Sequence, residues 1–390
     1  MCVSSRSSPR TCASCSPRRS ARRWRPPDRA SPALRTLVVS DLHLGARGQK
    51  AALHDPGCLR TLCETVAGAD RLVLLGDVLE LRERPLRDVL DDARPVLAAI
   101  GSAAVGRAGP AEIVLVAGNH DHRLVEPWLR RRERSVPLGV DGKVTTTDGD
   151  PLAAVVASLA GAGADPSRVS ARYPGASLGA ETWVTHGHYV DRHTTVPILE
   201  RLGAGLTARV AASRDPRCVE DYEAALAPVY AWADALAEHV RGQREVNGSE
   251  TVWRALSGRG GSLRRRAVRM AFPVAIAALN RAGLGPVGAD LSRDALRRGP
   301  LVALGEVLGR LGVGARWVVF GHTHRAGPLE GDQAGEWATP AGAHLVNAGC
   351  WVRERHLAGS NPSRSPYRPG WAVWIEGDPA RAPELVNLLD

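Results

Sequence analysis

Lysine is nearly missing from this chain: Lys50 and Lys143 are the only two among its 51 basic residues. The positive charge is therefore arginine, and with abundant Ala, Gly and Pro it reads as the signature of a GC-rich genome, so an arginine count by itself argues for no ligand. No apolar stretch approaches the ~20 residues of a membrane-spanning helix. The best candidate, Met270–Leu279, is half that length and carries Pro273. No apolar segment leads to a small-residue cleavage site near the N-terminus, which argues against a secretory signal. The seven cysteines include one CxxC pair, Cys12–Cys15, and no second pair to complete a zinc site. They read as reduced thiols of a cytoplasmic protein.

The formal charge of +10 looks like a nucleic-acid signal until it is located. Residues 1–33 hold eight arginines and one acid, Asp28, giving 8 − 1 = +7 and leaving 10 − 7 = +3 for residues 34–390. The body is only mildly basic, which argues against a broad nucleic-acid footprint. The Arg/Ser/Pro-rich residues 1–33 read as a disordered tail, and 34–390 as one catalytic domain.

From Leu34 the composition changes. An apolar, β-branched run, Thr36–Ser40, ends in Asp41-Leu42-His43. The pattern of strand, polar tip and helix then recurs: strand Arg71–Leu75 ends in Gly76-Asp77, and strand Ile113–Val116 ends in Gly118-Asn119-His120-Asp121, with helices near Leu59–Val66 and Leu86–Ile100. Two more strands, Thr182–Thr185 and Arg316–Phe320, run into His186-Gly187-His188 and Gly321-His322-Thr323-His324. Such alternation predicts an α/β fold with reactive groups beyond the carboxyl ends of the strands. Segments His344–Asn347, Trp371–Glu376 and Glu384–Leu388 read as strands completing a second sheet. His186 and His322 stand 322 − 186 = 136 positions apart, and the chain between them is rich in Ala, Leu and Arg at helical spacing, notably Val219–Val240 and Leu263–Leu279. These predict a helical cap over about residues 195–315.

Carboxylate, amide oxygen and imidazole without thiolate form a donor set suited to Mn, Fe or Zn. Two such cations about 3.5–4 Å apart lower the pKa of a shared water to about 7 and screen phosphoryl oxygens. A shared site also needs a bridging carboxylate. The five tips, in this order and wording, resemble the calcineurin-like metallophosphoesterase family over about residues 34–350.

The resemblance implies a four-layer αββα sandwich of two mixed sheets with a helical insertion, and two divalent metal ions. It implies Asp41, His43 and His324 on one metal, Asp77 as the bridge, and Asn119, His186 and His322 on the other. It implies hydrolysis of a phosphate ester or diphosphate by a metal-bridged hydroxide, in line and without a covalent phosphoenzyme. His120 would face the phosphoryl group and Asp121 would orient its imidazole; the bland alternative for Asp121 is a helix N-cap. His188 is either a phosphate contact or a hydrogen-bonded loop residue. The Asn347-Ala348-Gly349 turn resembles a segment that lines such sites. Arg47, Arg82, Arg123 and Arg325 flank the motifs as candidate phosphate donors.

Within the family, the wording is similar to the branch of UDP-2,3-diacylglucosamine diphosphatases, which also carry a helical lid but have arginine where this chain has His120. A phosphorylated small-molecule or lipid-linked substrate follows, with Arg264–Arg266 and Arg269 ahead of Met270–Leu279 as a basic amphipathic element for peripheral membrane contact. A nuclease and a non-catalytic metal-binding adaptor of the same fold are the alternatives. The first needs a basic groove, and the second predicts lost ligands.

Overall fold

A computed structural model describes residues 34–105, 111–133, 135–161, 166–195, 215–239, 274, 276–278, 280–281, 288, 290, 292–353, 357, 361–378 and 381–390. The expected tail, most of Met270–Leu279 and much of the cap lie outside these residues.

Seven strands form the first sheet. They are β1 (Thr36–Val39), β2 (Arg71–Leu75), β3 (Glu112–Val116), β4 (Gly142–Val144), β5 (Val169–Tyr173), β10 (Trp371–Ile375) and β11 (Glu384–Asn387), in the spatial order β11-β10-β1-β2-β3-β5-β4. The second sheet, β6-β7-β8-β9, comprises Gly175–Leu178, Thr182–Thr185, Trp317–Phe320 and His344–Asn347. Strands β1, β2, β3 and β5 run parallel, as do β7, β8 and β9, while the outer strands β4, β10, β11 and β6 are antiparallel to their neighbours. Both sheets are thus mixed.

Alternation of side chains along each strand makes the layers. Val38, Val73, Leu75, Val114 and Val116 turn inward against Val184, Val319 and Val346 of the other sheet. Leu37, Val39, Leu72, Leu74 and Leu115 face helices α1 (Pro56–Val66), α2 (Leu86–Ala103) and α4 (Pro151–Ala160), the short α3 (Glu126–Arg131) lying between α2 and α4 in sequence. On the far side Trp183, Val318 and Leu345 meet Leu301, Leu304 and Leu308 of α6 (Arg293–Leu311). Helix, sheet, sheet, helix is the expected four-layer sandwich.

Two expectations need correction. Trp371–Ile375 and Glu384–Asn387 extend the first sheet, because Thr36, Leu37 and Val38 need a second hydrogen-bonding partner and find it in Ile375, Trp374 and Val373. Only His344–Asn347 joins the second sheet. Cys58, Cys63 and Cys350 are free thiols, whereas Cys218 is disulfide-bonded, against the reading of all cysteines as reduced.

Of the insertion, α5 (Val219–His239) is described, and its carboxylates Glu220, Glu223 and Glu238 tie it to the body. Glu223 accepts from His122 Nε2 at 2.9 Å and from the hydroxyls of Tyr173 and Tyr189 at 2.6 Å each. Among the described residues no helix is long and apolar enough to cross a membrane.

Candidate metal centre

The tips of β1, β2, β3, β7 and β8 meet at one end of the two sheets. Three groups of side chains there each bring their ligand atoms within 4.8 Å of one another: Asp41, His43 and His324; His43, Asp77 and His120; Asp77, His186 and His322. The first group is the set expected on one metal, the third joins Asp77 to two residues expected on the other, and Asp77 stands between them. Its Oδ2 lies 3.2 Å from His186 Nε2 and 3.7 Å from His43 Nε2. Asn119 joins the second group, with Oδ1 at 3.1 Å from both His186 Nε2 and His322 Nδ1.

The backbone is bent to make this possible. Asp41, His43, Asp77, His322 and His324 all have positive φ, between 47° and 68°, and among the described residues no other non-glycine residue does. A left-handed conformation costs an L-residue about 1–2 kcal/mol. Hydrogen bonds between the tips hold it in place: Asp41 N to Gly76 O (3.1 Å), His43 N to Asp77 O (2.8 Å) and Gly321 N to His186 O (3.1 Å). Close approach explains two glycines. A Cβ on Gly118 would stand 2.2 Å from Asp77 Oδ1, and one on Gly321 would stand 2.0 Å from Ser40 Oγ.

Whether these residues fit cations is decided by their outer atoms. His43 gives Nδ1–H to Glu80 Oε2 (2.8 Å), His186 gives Nδ1–H to the Leu75 carbonyl (3.0 Å), and His322 gives Nε2–H to Asp191 Oδ1 (2.8 Å). Each inner nitrogen is left with its lone pair facing the group, as outer partners of metal-ligating histidines do. Asp41 is divided in the same way. Its Oδ2 accepts from Ser40 Oγ (2.6 Å) and His322 N (3.0 Å), while the buried Oδ1 has no hydrogen-bond partner and lies 3.3 Å from His324 Nε2. A bare buried carboxylate oxygen among converging imidazole nitrogens fits a divalent cation.

Without cations the carboxylates draw protons instead. Burial works against protonating His43 and His186, but the nearby acids prevail: Asp41, Glu80 and Asp77 push His43 up to about 10, and Asp77 and Asp41 push His186 up to about 9. Asp41, Asp77 and Glu80 are held below the usual carboxylate range, since facing histidines outweigh a burial cost of opposite sign. The raised histidine values stabilise the fold fully below the unfolded value of 6.5, and this contribution is lost as pH rises through 9 to 10. Chelator-treated protein should therefore melt at progressively lower temperature from pH 7 to 10, while Mn-loaded protein should not. A flat profile for the stripped protein would contradict this charge arrangement.

His120 is placed as expected beside the centre, but its carboxylate partner differs. Glu80 Oε2 lies 2.7 Å from His120 Nδ1, and the same oxygen receives His43. Asp121 does not orient the imidazole. Its buried carboxylate accepts backbone N–H groups of Gly118 (2.6 Å) and Val78 (2.7 Å), and its side chain caps no helix either. Burial and the Asp77 charge push its pKa up to about 6.

His188 is buried at the start of a short 3-10 helix, His188–Arg192, and bonded through Nε2 to the Tyr173 hydroxyl (3.1 Å). Asn347 lines the last tip, giving Nδ2–H to Gly321 O (3.0 Å) and Thr323 Oγ1 (2.9 Å). Of the flanking arginines, Arg325 pairs with Asp332 (2.6 Å), Arg123 pairs with Glu238, and Arg47 donates to Glu83 O (3.0 Å). Glu80 and Asp191 were not marked by the motifs. The available signal was a lone acid inside an apolar stretch, Val78-Leu79-Glu80-Leu81 and Tyr189-Val190-Asp191.

Fold and site together define an α/β sandwich with a candidate metal centre at its strand tips. Residues 34–204 match the family model described as calcineurin-like phosphoesterase. None of the curated proteins matches the chain. Solved structures similar to it include the cold-active protein-tyrosine phosphatase of the psychrophile Shewanella sp. (11% identity, 90% of this chain and 80% of that chain covered, TM-score 0.27). Another is a dimetal phosphatase from Danio rerio (10% identity, 92% and 100% covered, TM-score 0.31).

Proposed function

We propose that the protein is a dinuclear metal-dependent hydrolase that cleaves a phosphate ester or diphosphate bond. The observation carrying this reading is the pair of ligand groups meeting at the single buried carboxylate of Asp77. Asp41, His43 and His324 would hold one cation and Asn119, His186 and His322 the other. Cations so held supply an acidified water as nucleophile and positive charge for the phosphoryl oxygens. The chain's own part is proton handling. Glu80 fixes His120 through Nδ1, which leaves the other ring nitrogen free to pass a proton to the leaving oxygen. Manganese and a lipid-linked diphosphate substrate are finer parts of the same proposal. They rest on the donor set and on the motif wording around Asp41 and His322. An adaptor reading is disfavoured by a complete ligand set.

The experiment is hydrolysis by Mn-reconstituted protein of a nitrophenyl monoester, a bis-nitrophenyl diester and a nucleotide diphosphate conjugate. Metal-dependent turnover is expected, with kcat lower by about 10²–10⁴ in His120→Ala and metal content retained. No turnover on any of the three with two metals bound would count against the reading.

A further inference from the structure

His186 and Gly187 lead directly into the short 3-10 helix His188–Arg192, which Gly187 opens with a φ of 98°. Successive side chains of this turn take different partners. Tyr189 meets the insertion: its hydroxyl donates to Glu223 Oε1 at 2.6 Å, and its ring stacks on Tyr222 of α5, with centroids 4.7 Å apart and planes 7° from parallel. Val190 packs with Leu301 and Leu304 of α6. Asp191 meets the metal centre, where its Oδ1 accepts from His322 Nε2 at 2.8 Å. One turn of chain thus touches the insertion helix on one residue and an expected ligand two residues later.

Asp191 is fully buried, and its other oxygen, Oδ2, has no hydrogen-bond partner. A buried carboxylate with a single partner is costly to the fold, so its place is explained by what it does for that partner. By taking the Nε2–H it fixes the tautomer of His322 and leaves Nδ1 bare, facing Asn119 Oδ1 at 3.1 Å. His186 precedes the turn in the chain and His322 is held by it, so two expected ligands of one cation depend on where the turn sits. His43, expected on the other cation, is held instead by Glu80, outside the turn.

We propose that Asp191 is a positioning residue for the cation expected at Asn119, His186 and His322, and that the insertion sets the affinity of that one site by gripping the turn through Tyr189. This rests on the dinuclear reading of the centre. The insertion thereby acts on the metal centre without contributing a ligand to it.

The test is Mn binding by the chelator-stripped full chain, followed by titration calorimetry and by the electron paramagnetic resonance signal of a coupled Mn pair. In Asp191→Asn the amide can turn either its oxygen or its NH2 towards Nε2, so the tautomer of His322 is no longer fixed. This variant is expected to bind one Mn about 10–100-fold more weakly and the other as wild type does, with the pair signal giving way to that of a single ion. Tyr189→Phe, which loses one hydroxyl, should weaken the same Mn by less, and it decides the case if Asp191→Asn fails to fold. Arg132→Ala breaks a different tie of α5, the one to Glu220, and should leave both affinities unchanged. Wild-type affinity for both ions in Asp191→Asn overturns the proposal, and so does equal weakening of both, the mark of a purely structural role. Wild-type affinities in Tyr189→Phe overturn the part given to the insertion. Fewer than two Mn in the wild type defeats this proposal and the dinuclear reading together. If one Mn weakens as expected yet the wild type hydrolyses none of the three esters, the coupling stands and the hydrolase reading falls.

Discussion

Asp77→Asn is expected to lower turnover by about 10³-fold or more and to reduce bound metal from two ions per chain to one or none. Asp77 Oδ2 faces both ligand groups, so no other carboxylate can serve each at once. An amide is neutral and offers one oxygen where two cations require shared negative charge. Loss of a bridged pair removes several kcal/mol of charge stabilisation, and each 1.36 kcal/mol is a factor of ten. Metal analysis and steady-state kinetics on the same preparation check it. A variant that keeps two ions and more than a tenth of the activity would remove Asp77 as the bridge.

The second large effect concerns two neighbouring carboxylates with opposite fates. Glu80→Gln is expected to cost about 10²-fold in kcat with the fold intact, because one oxygen orients both His43 and His120 and an amide cannot accept from both rings in the same way. Asp121→Asn should instead act on stability, since its oxygens receive backbone N–H groups of Gly118 and Val78. Thermal melts beside kinetics separate the two. Equal losses of kcat and unchanged melting in both variants would restore Asp121 to the chemistry.

The residues that meet at the candidate centre were legible because each follows an apolar strand at a position where a polar residue has no packing reason to be. The sandwich followed from the same alternation, and β2 and β7 fell at their expected bounds, Arg71–Leu75 and Thr182–Thr185. Strand β5 escaped notice because Val-Ser-Ala-Arg-Tyr shows no apolar run: its outer positions are half exposed. Glu80 escaped because its partners, His43 and His120, are 37 and 40 residues away along the chain. Asp121 misled because nearness in sequence was taken for nearness of side chains. The pairing of β10 with β1 has no local signature, since any apolar strand can serve as an edge partner.

That pairing bears on how the chain is made. Strand β1 is among the first segments of the fold to leave the ribosome, yet its second neighbour, Trp371–Ile375, is among the last. Until then the β1 backbone presents an open edge beside the buried side chains Leu37, Val38 and Val39. Such an edge is a template for pairing with another nascent chain. Synthesis of the C-terminal strands is thus the step that shields the newborn protein from association with its own copies.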